Sequence, residues 1–189
     1  MSGGKTGIKY LDRAQTAQFF SVITDPRDRA LFATIYHYGL RASEATLLRL
    51  EDVDLARRRI FVHRLKGGHS GERPLFKSTA RALRKYQEDR QLTGPALFTG
   101  RQGGLTRERI HQLFKRYAQK AGLPSSFTVR CLRHSIATHL LEAGQGIEFV
   151  QDHLGHVNIQ NTLIYARLTD RRREEVYRQL EESPEIVKV

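Results

Sequence analysis

The sequence predicts a mainly α-helical domain that carries one small antiparallel β-hairpin or sheet. Three features predict it. Apolar residues recur with the helical period over about 14 to 23, 27 to 38, 43 to 50, 78 to 91, 106 to 121, 130 to 143, 146 to 153 and 159 to 168, ahead of a charged final helix near 170 to 182. One stretch breaks that rhythm: IFVHRL, KGGHSGE and RPLF, residues 60 to 76, read as two strands around a glycine-rich loop. A third strand ahead of them is not clearly marked. The glycine-rich places, at 67 to 71 and 100 to 104, are short and read as turns.

The helix limits carry their own signals. Pro26, Ser43 and Thr106 stand at helix starts, and Gly122, Gly144 and Gly155 at helix ends. A chain of 189 residues is one domain, or one with a small appendage, and buries a real core.

Charge is the unusual quantity. Against 20 Asp and Glu stand 32 Lys and Arg, a net +12 that favours a polyanionic partner, with nucleic acid ahead of an anionic membrane surface. No apolar run approaches the roughly 18 residues of a membrane span. The N-terminal MSGGKTGIKY also lacks the apolar stretch of a signal peptide. A soluble cytosolic protein without membrane partners is expected. The single cysteine, Cys131, excludes an internal disulfide framework and a cysteine-only zinc site.

Four stretches carry candidate chemistry. In YGLRASEATLLRLEDVDL, Arg41 stands at a loop-to-helix junction after a glycine. Glu44, three residues on, can hold its guanidinium, while Leu47, Leu48 and Leu50 supply the buried side of a short helix. The plainer reading is a surface ion pair. Lys66, on the hairpin loop, can deliver a proton to a leaving oxygen, although most such lysines are simply solvated. In RCLRHSIATHLLEAG, Arg130 and Arg133 are three apart and face one way, and His134 follows. Three cationic or donor groups on one turn favour a phosphate between them, and Leu132, Ile136 and Leu140 pin the helix in the core. A basic turn making unspecific DNA contact is the alternative. In DHLGHVNIQNTLIYARLTD, His156 follows a helix-ending Leu-Gly pair, and Tyr165 comes nine residues later within the apolar frame Leu163, Ile164 and Leu168. His153 and His156 are not read as half a metal site, because no third ligand stands at zinc spacing and their neighbours are cationic.

The order of these residues is more specific than any one of them. Arg41 in GLRASE, Lys66 in the hairpin, Arg133 in LRHSIATHLLEAG, His156 in LGH and Tyr165 nine residues on resemble the catalytic domain of the tyrosine recombinase/phage integrase family, over roughly residues 12 to 180. The resemblance implies that fold and its chemistry. Tyr165 would attack a DNA backbone phosphorus, giving a 3′-phosphotyrosyl link and a free 5′-hydroxyl. Arg41 and Arg133 would clamp the non-bridging oxygens, His156 would add a hydrogen bond, and Lys66 would protonate the departing oxygen. Glu44 and His134 would support them. No cofactor or metal is expected, since the arginines take the place a metal would fill.

Two departures stand out. The family commonly has histidine or lysine three residues before the second arginine. Here Arg130 occupies that place, and an arginine cannot accept a proton. Only residues 1 to 11 precede the domain expected over 12 to 182, so the family's usual N-terminal DNA-clamping domain is expected to be absent. An accessory DNA-binding protein is then a candidate for part of the grip on DNA. By the same resemblance, the apolar tail SPEIVKV, residues 183 to 189, would dock on a neighbour in a homo-tetramer holding two double-stranded DNA sites, a frayed terminus being the plainer reading. A DNA-binding regulator that does not cut, and a type IB topoisomerase, are the alternatives to an active recombinase or integrase.

Overall fold

A computed structural model of the chain describes residues 7–65, 67–88, 94–166 and 177–178. Lys66, Leu168, most of the final helix expected near 170 to 182 and the tail 183 to 189 therefore lie outside the described residues.

Helices α1 (Arg13–Ser21) and α2 (Pro26–His37) open the fold. Asp12 caps α1 by accepting the Gln15 N–H at 2.7 Å, and Asp25 caps α2 ahead of Pro26, whose missing N–H costs nothing in a first turn. Helix α3 is a single turn, Ala42–Ala45. The helix expected over 43 to 50 thus stops early, and Ser43 lies within its first turn. Leu48 O accepts from Leu97 N and Leu50 N donates to Pro95 O, so these leucines pair with the backbone ahead of the fifth helix. Leu47, expected to be buried, is 42% exposed.

A 3-10 turn at Leu50–Asp52 leads into β1 (Val53–Asp54), β2 (Arg59–Val62) and β3 (Gly71–Pro74), one antiparallel sheet ordered β1-β2-β3. Ile60 pairs with Arg73 and Val62 with Gly71. The third strand is therefore real, and β2 ends before His63 and Arg64, whose side chains leave the ladder for partners elsewhere. After α4 (Lys77–Glu88), the glycine stretch read as a turn forms a second small antiparallel pair, β4 (Thr99–Gly100) with β5 (Gly103–Gly104). Thr106 caps α5 (Arg107–Lys120), and α6 (Arg130–Glu142), α7 (Ile147–Leu154) and α8 (Gln160–Ala166) follow.

The apolar side chains form two clusters. In the larger one, Phe19, Phe32 and Phe114 meet with centroids 5.1 to 6.2 Å apart, where α1, α2 and α5 converge. The smaller one joins Ile136, Ala137, Leu141, Val150, Leu154 and Tyr165 beneath α6, α7 and α8. Helix α6 belongs to both, since Cys131 and Leu132 enter the first and Ile136 and Leu141 the second. Burying a leucine side chain such as Leu132 contributes about 1.5–3 kcal/mol. The helix bearing the Arg-Cys-Leu-Arg-His run is thus pinned at both ends.

Candidate active site

The site is assembled around Glu44, a carboxylate that solvent does not reach. Its Oε2 accepts the Arg41 backbone N–H at 2.9 Å, closing the first turn of α3, and also Arg64 Nη1 at 3.1 Å. Its Oε1 accepts Arg41 Nη1 at 2.5 Å and the Leu65 N–H at 3.3 Å. Arg133 Nη1 lies 3.8 Å away. Burial pushes the Glu44 pKa up, but the Arg41 N–H and the charges of Arg64 and Arg133 outweigh it, and the net shift is downward.

Arg133 is 3% exposed. Its Nη1 donates to Gly39 O and its Nη2 to Leu154 O at 3.0 Å, so two carbonyls at chain turns fix the guanidinium plane. Burial first, then Arg41 and Arg64, lowers its pKa to about 9, which leaves it charged at neutral pH. Both turns need close backbone approach. Gly39 has φ +56°, and a Cβ there would lie 2.5 Å from Leu154 Cδ2. Gly155 ends α7 with φ +66°, and a Cβ there would lie 2.8 Å from Arg64 Cγ.

Arg64 was not foreseen as a site residue. It donates to Tyr38 O at 2.7 Å and to His153 O, and so ties the hairpin to the Gly39 turn and to the end of α7. The signal was present in the strand period. Ile60, Val62 and Arg64 alternate onto the inward face, and a cation at an inward position requires partners. Arg73 reinforces the junction by pairing with Asp152 at 3.2 Å.

His156 and Tyr165 complete the arrangement. His156 is 8% exposed, and its Nδ1 meets Thr162 Oγ1 at 2.9 Å. If the hydroxyl donates there, the ring proton sits on Nε2, the nitrogen then free to donate to an anion. Burial, then Arg133, Arg41 and Arg64, pulls its pKa to about 4, so the ring is neutral. Tyr165 is 2% exposed and its hydroxyl meets His134 Nδ1 at 2.7 Å. Burial raises the phenol pKa, and the charges of Arg133, Arg130 and Arg41 oppose that rise. The apolar frame expected around Tyr165 is different in fact. Ile164 is 40% exposed, and the inward face of α8 is Thr162 with Tyr165, whose hydroxyls meet His156 and His134.

Arg130 and Arg133 were expected to face one way, but their surroundings differ. Arg130 begins α6 and is exposed, while Arg133 is drawn inward by its carbonyl partners. Both still act electrostatically on Tyr165 and His134. The rings of His153 and His156 serve separate partners, His37 O and Thr162. Lys66 lies outside the described residues, between Leu65 and Gly67.

Among the described residues the cluster holds three guanidiniums, of Arg41, Arg64 and Arg133, against the carboxylate of Glu44. The two positive charges left over suit a bound anion. A phosphodiester carries one negative charge, and a five-coordinate phosphorus formed by an attacking phenolate carries about two. Such a site favours the second over the first, which is the condition for catalysis.

The sequence profile described as "Phage integrase family" matches residues 9–172. A tyrosine recombinase XerA from Thermococcus kodakarensis is 40% identical over 167 residues, which cover 85% of this chain and 58% of the relative. A tyrosine recombinase XerC from Halalkalibacterium halodurans is 36% identical over 163 residues, 80% of this chain and 54% of that protein. The chain thus spans somewhat more than half the length of these relatives. A crystal structure of a XerA recombinase superposes with a TM-score of 0.80 at 26% identity, over 95% of this chain and 66% of that one.

Proposed function

The chain belongs to the phage integrase family, and from that premise we propose that it is a site-specific tyrosine recombinase that cleaves and rejoins double-stranded DNA. The observation that carries the proposal is the convergence of residues 41, 133, 156 and 165, from four separate segments, on one buried cationic cluster.

The roles follow from what each group can do. Tyr165 is the nucleophile, forming a 3′-phosphotyrosyl ester whose retained energy lets rejoining proceed without ATP. A phenol with a pKa near 10 reacts slowly at pH 7, so the charge developing on phosphorus must be met by fixed cations. Arg41, whose side chain is 33% exposed, presents the open edge of the cluster, and Arg133 its buried floor. His156 donates from the third side. Lys66, two residues beyond the anchored Arg64, is assigned the protonation of the departing 5′-oxygen. Arg130 adds charge that favours phenolate. The chemistry calls on no cofactor. A homo-tetramer on two DNA sites, with the tail 183 to 189 docked on a neighbour, and an accessory DNA-binding protein belong to the same reading.

The test is a nicked suicide duplex carrying the cognate site, in which loss of the short fragment that bears the freed 5′-hydroxyl traps the cleaved state. A covalent protein–DNA adduct, lost in Tyr165→Phe, is the expected result. DNA binding without adduct from the unaltered protein at any pH identifies a regulator instead. Relaxation of a plasmid without exchange between two sites identifies a topoisomerase.

A further inference from the structure

Arg130 stands where the resemblance places a histidine or lysine and cannot accept a proton, so a base for Tyr165 must lie elsewhere. Resting on the recombinase reading above, the geometry points to His134 as the catalytic base that takes the proton from Tyr165. Its Nδ1 lies 2.7 Å from the phenol oxygen, and the ring centroids are 5.5 Å apart with planes tilted by 49°. That is a hydrogen bond to the reacting atom, not stacking.

The alternatives among the described residues fail on chemistry or position. Arg130 is exposed and cannot accept a proton. Arg133 is charged at neutral pH and offers no acceptor, and His156 Nδ1 is held by Thr162. His134 itself is held in register by the helix that supplies Arg133, so base and phosphate clamp are adjacent residues of α6.

A neutral ring with its proton on Nε2 accepts the phenol O–H at Nδ1. Burial first, then the charges of Arg130 and Arg133, lowers the His134 pKa to about 4, so the ring is neutral at pH 7. A phosphate bound between Arg133 and Arg41 offsets the cationic part of that shift and raises the basicity of the ring when substrate arrives. The base is therefore weak in the empty site and stronger in the loaded one.

The step balances. The Tyr165 Oη–phosphorus bond forms as the phosphorus–O5′ bond breaks, the phenol proton passes to His134 Nδ1, and the departing oxygen takes a proton from the general acid assigned to Lys66. Rejoining reverses each transfer: the 5′-hydroxyl gives its proton to Lys66, and the leaving phenolate recovers its own from His134.

Adduct formation on the suicide duplex is measured for the full chain, His134→Ala and His134→Asn. Asparagine places an amide oxygen close to the position of Nδ1, so it keeps the hydrogen bond and loses the base. Both variants are expected to cleave about 10²-fold more slowly, with duplex binding and thermal unfolding near the parent values. Added imidazole should restore His134→Ala and leave His134→Asn unchanged. Parent-like cleavage by His134→Asn would falsify the assignment and make the ring a mere hydrogen-bond partner. A slow His134→Ala that binds DNA, folds and ignores imidazole overturns it too. Absence of adduct from the unaltered chain overturns the recombinase reading and this one together, whereas equal adduct from parent and both variants overturns this one alone.

Discussion

Glu44 Oε2 and Arg64 Nη1 pair at 3.1 Å with side chains 0% and 1% exposed. The pair joins α3, which Arg41 immediately precedes, to the hairpin segment, with Lys66 two residues further along the sequence than Arg64. Glu44 also faces Arg133, so one carboxylate orders three cations from three segments. Such a pair is costly to desolvate and more costly to break, since removing one partner strands the other's charge.

Glu44→Gln should therefore lower unfolding stability by about 3–5 kcal/mol, measured by urea unfolding at pH 7, and should abolish adduct formation. Because the folded Glu44 pKa is lowered, the stability it contributes is present above the usual carboxylate range and is lost as pH falls through and below it. The variant should lack that acid limb.

Arg133→Ala should abolish cleavage while duplex affinity changes little, because one phosphate contact among many is lost but the clamp on the five-coordinate phosphorus fails. A rate loss of about 10²-fold or more is expected, from adduct kinetics and gel-shift titration in parallel. Matched losses of binding and cleavage would mean that Arg133 only binds.

Gly39→Ala should destabilise the fold and impair cleavage. The added Cβ meets Leu154 Cδ2 at 2.5 Å from a backbone at φ +56°, and the same turn offers the carbonyl that holds Arg133. About 1–3 kcal/mol is expected from the overpacking, read as a lower unfolding midpoint.

The histidines set a second pH limb. His37, His134, His153 and His156 are each lowered to about 4, with burial the first cause. A folded pKa below the unfolded value near 6.5 means that the unfolded chain binds protons first, so stability falls as pH drops from about 6.5 towards 4. For His153 and His156, both 8% exposed, the ceiling is about 1.4 kcal/mol per pH unit each. Urea midpoints at pH 7.5, 6 and 5 should decline in order, and a flat series contradicts this.

Arg130→His should leave the rate of the otherwise unaltered chain within about threefold, since His134 already accepts the proton. In the His134→Ala background it should recover part of the lost rate, about tenfold of the about 10²-fold deficit. Adduct time courses of the two backgrounds side by side make the comparison.

Much was legible in the chain itself. Helical periodicity located α1, α2 and α4 to α8 to within a few residues, because amphipathic burial writes a 3.6-residue repeat into the sequence. The Arg41–Glu44 contact was legible too, since an i,i+3 spacing on a helix start is a local distance. Short backbone pairings left no such trace: β1 spans two residues, β4 and β5 two each, and Leu48 to Leu50 gave up a helix for partners near Pro95.

The sequence by itself determined that Arg41, Glu44, Arg133, His134, His156 and Tyr165 stand in that order along the chain, because spacing and side-chain chemistry are local properties. Only the tertiary structure decided that Arg64 lies in the core against Glu44, that Arg130 stays in solvent while Arg133 turns inward, and that Tyr165 meets His134. Those outcomes depend on carbonyls, carboxylates and rings brought from segments up to 94 residues away. A buried charge settles where such partners converge, and that convergence is set by packing between elements, which no local spacing encodes.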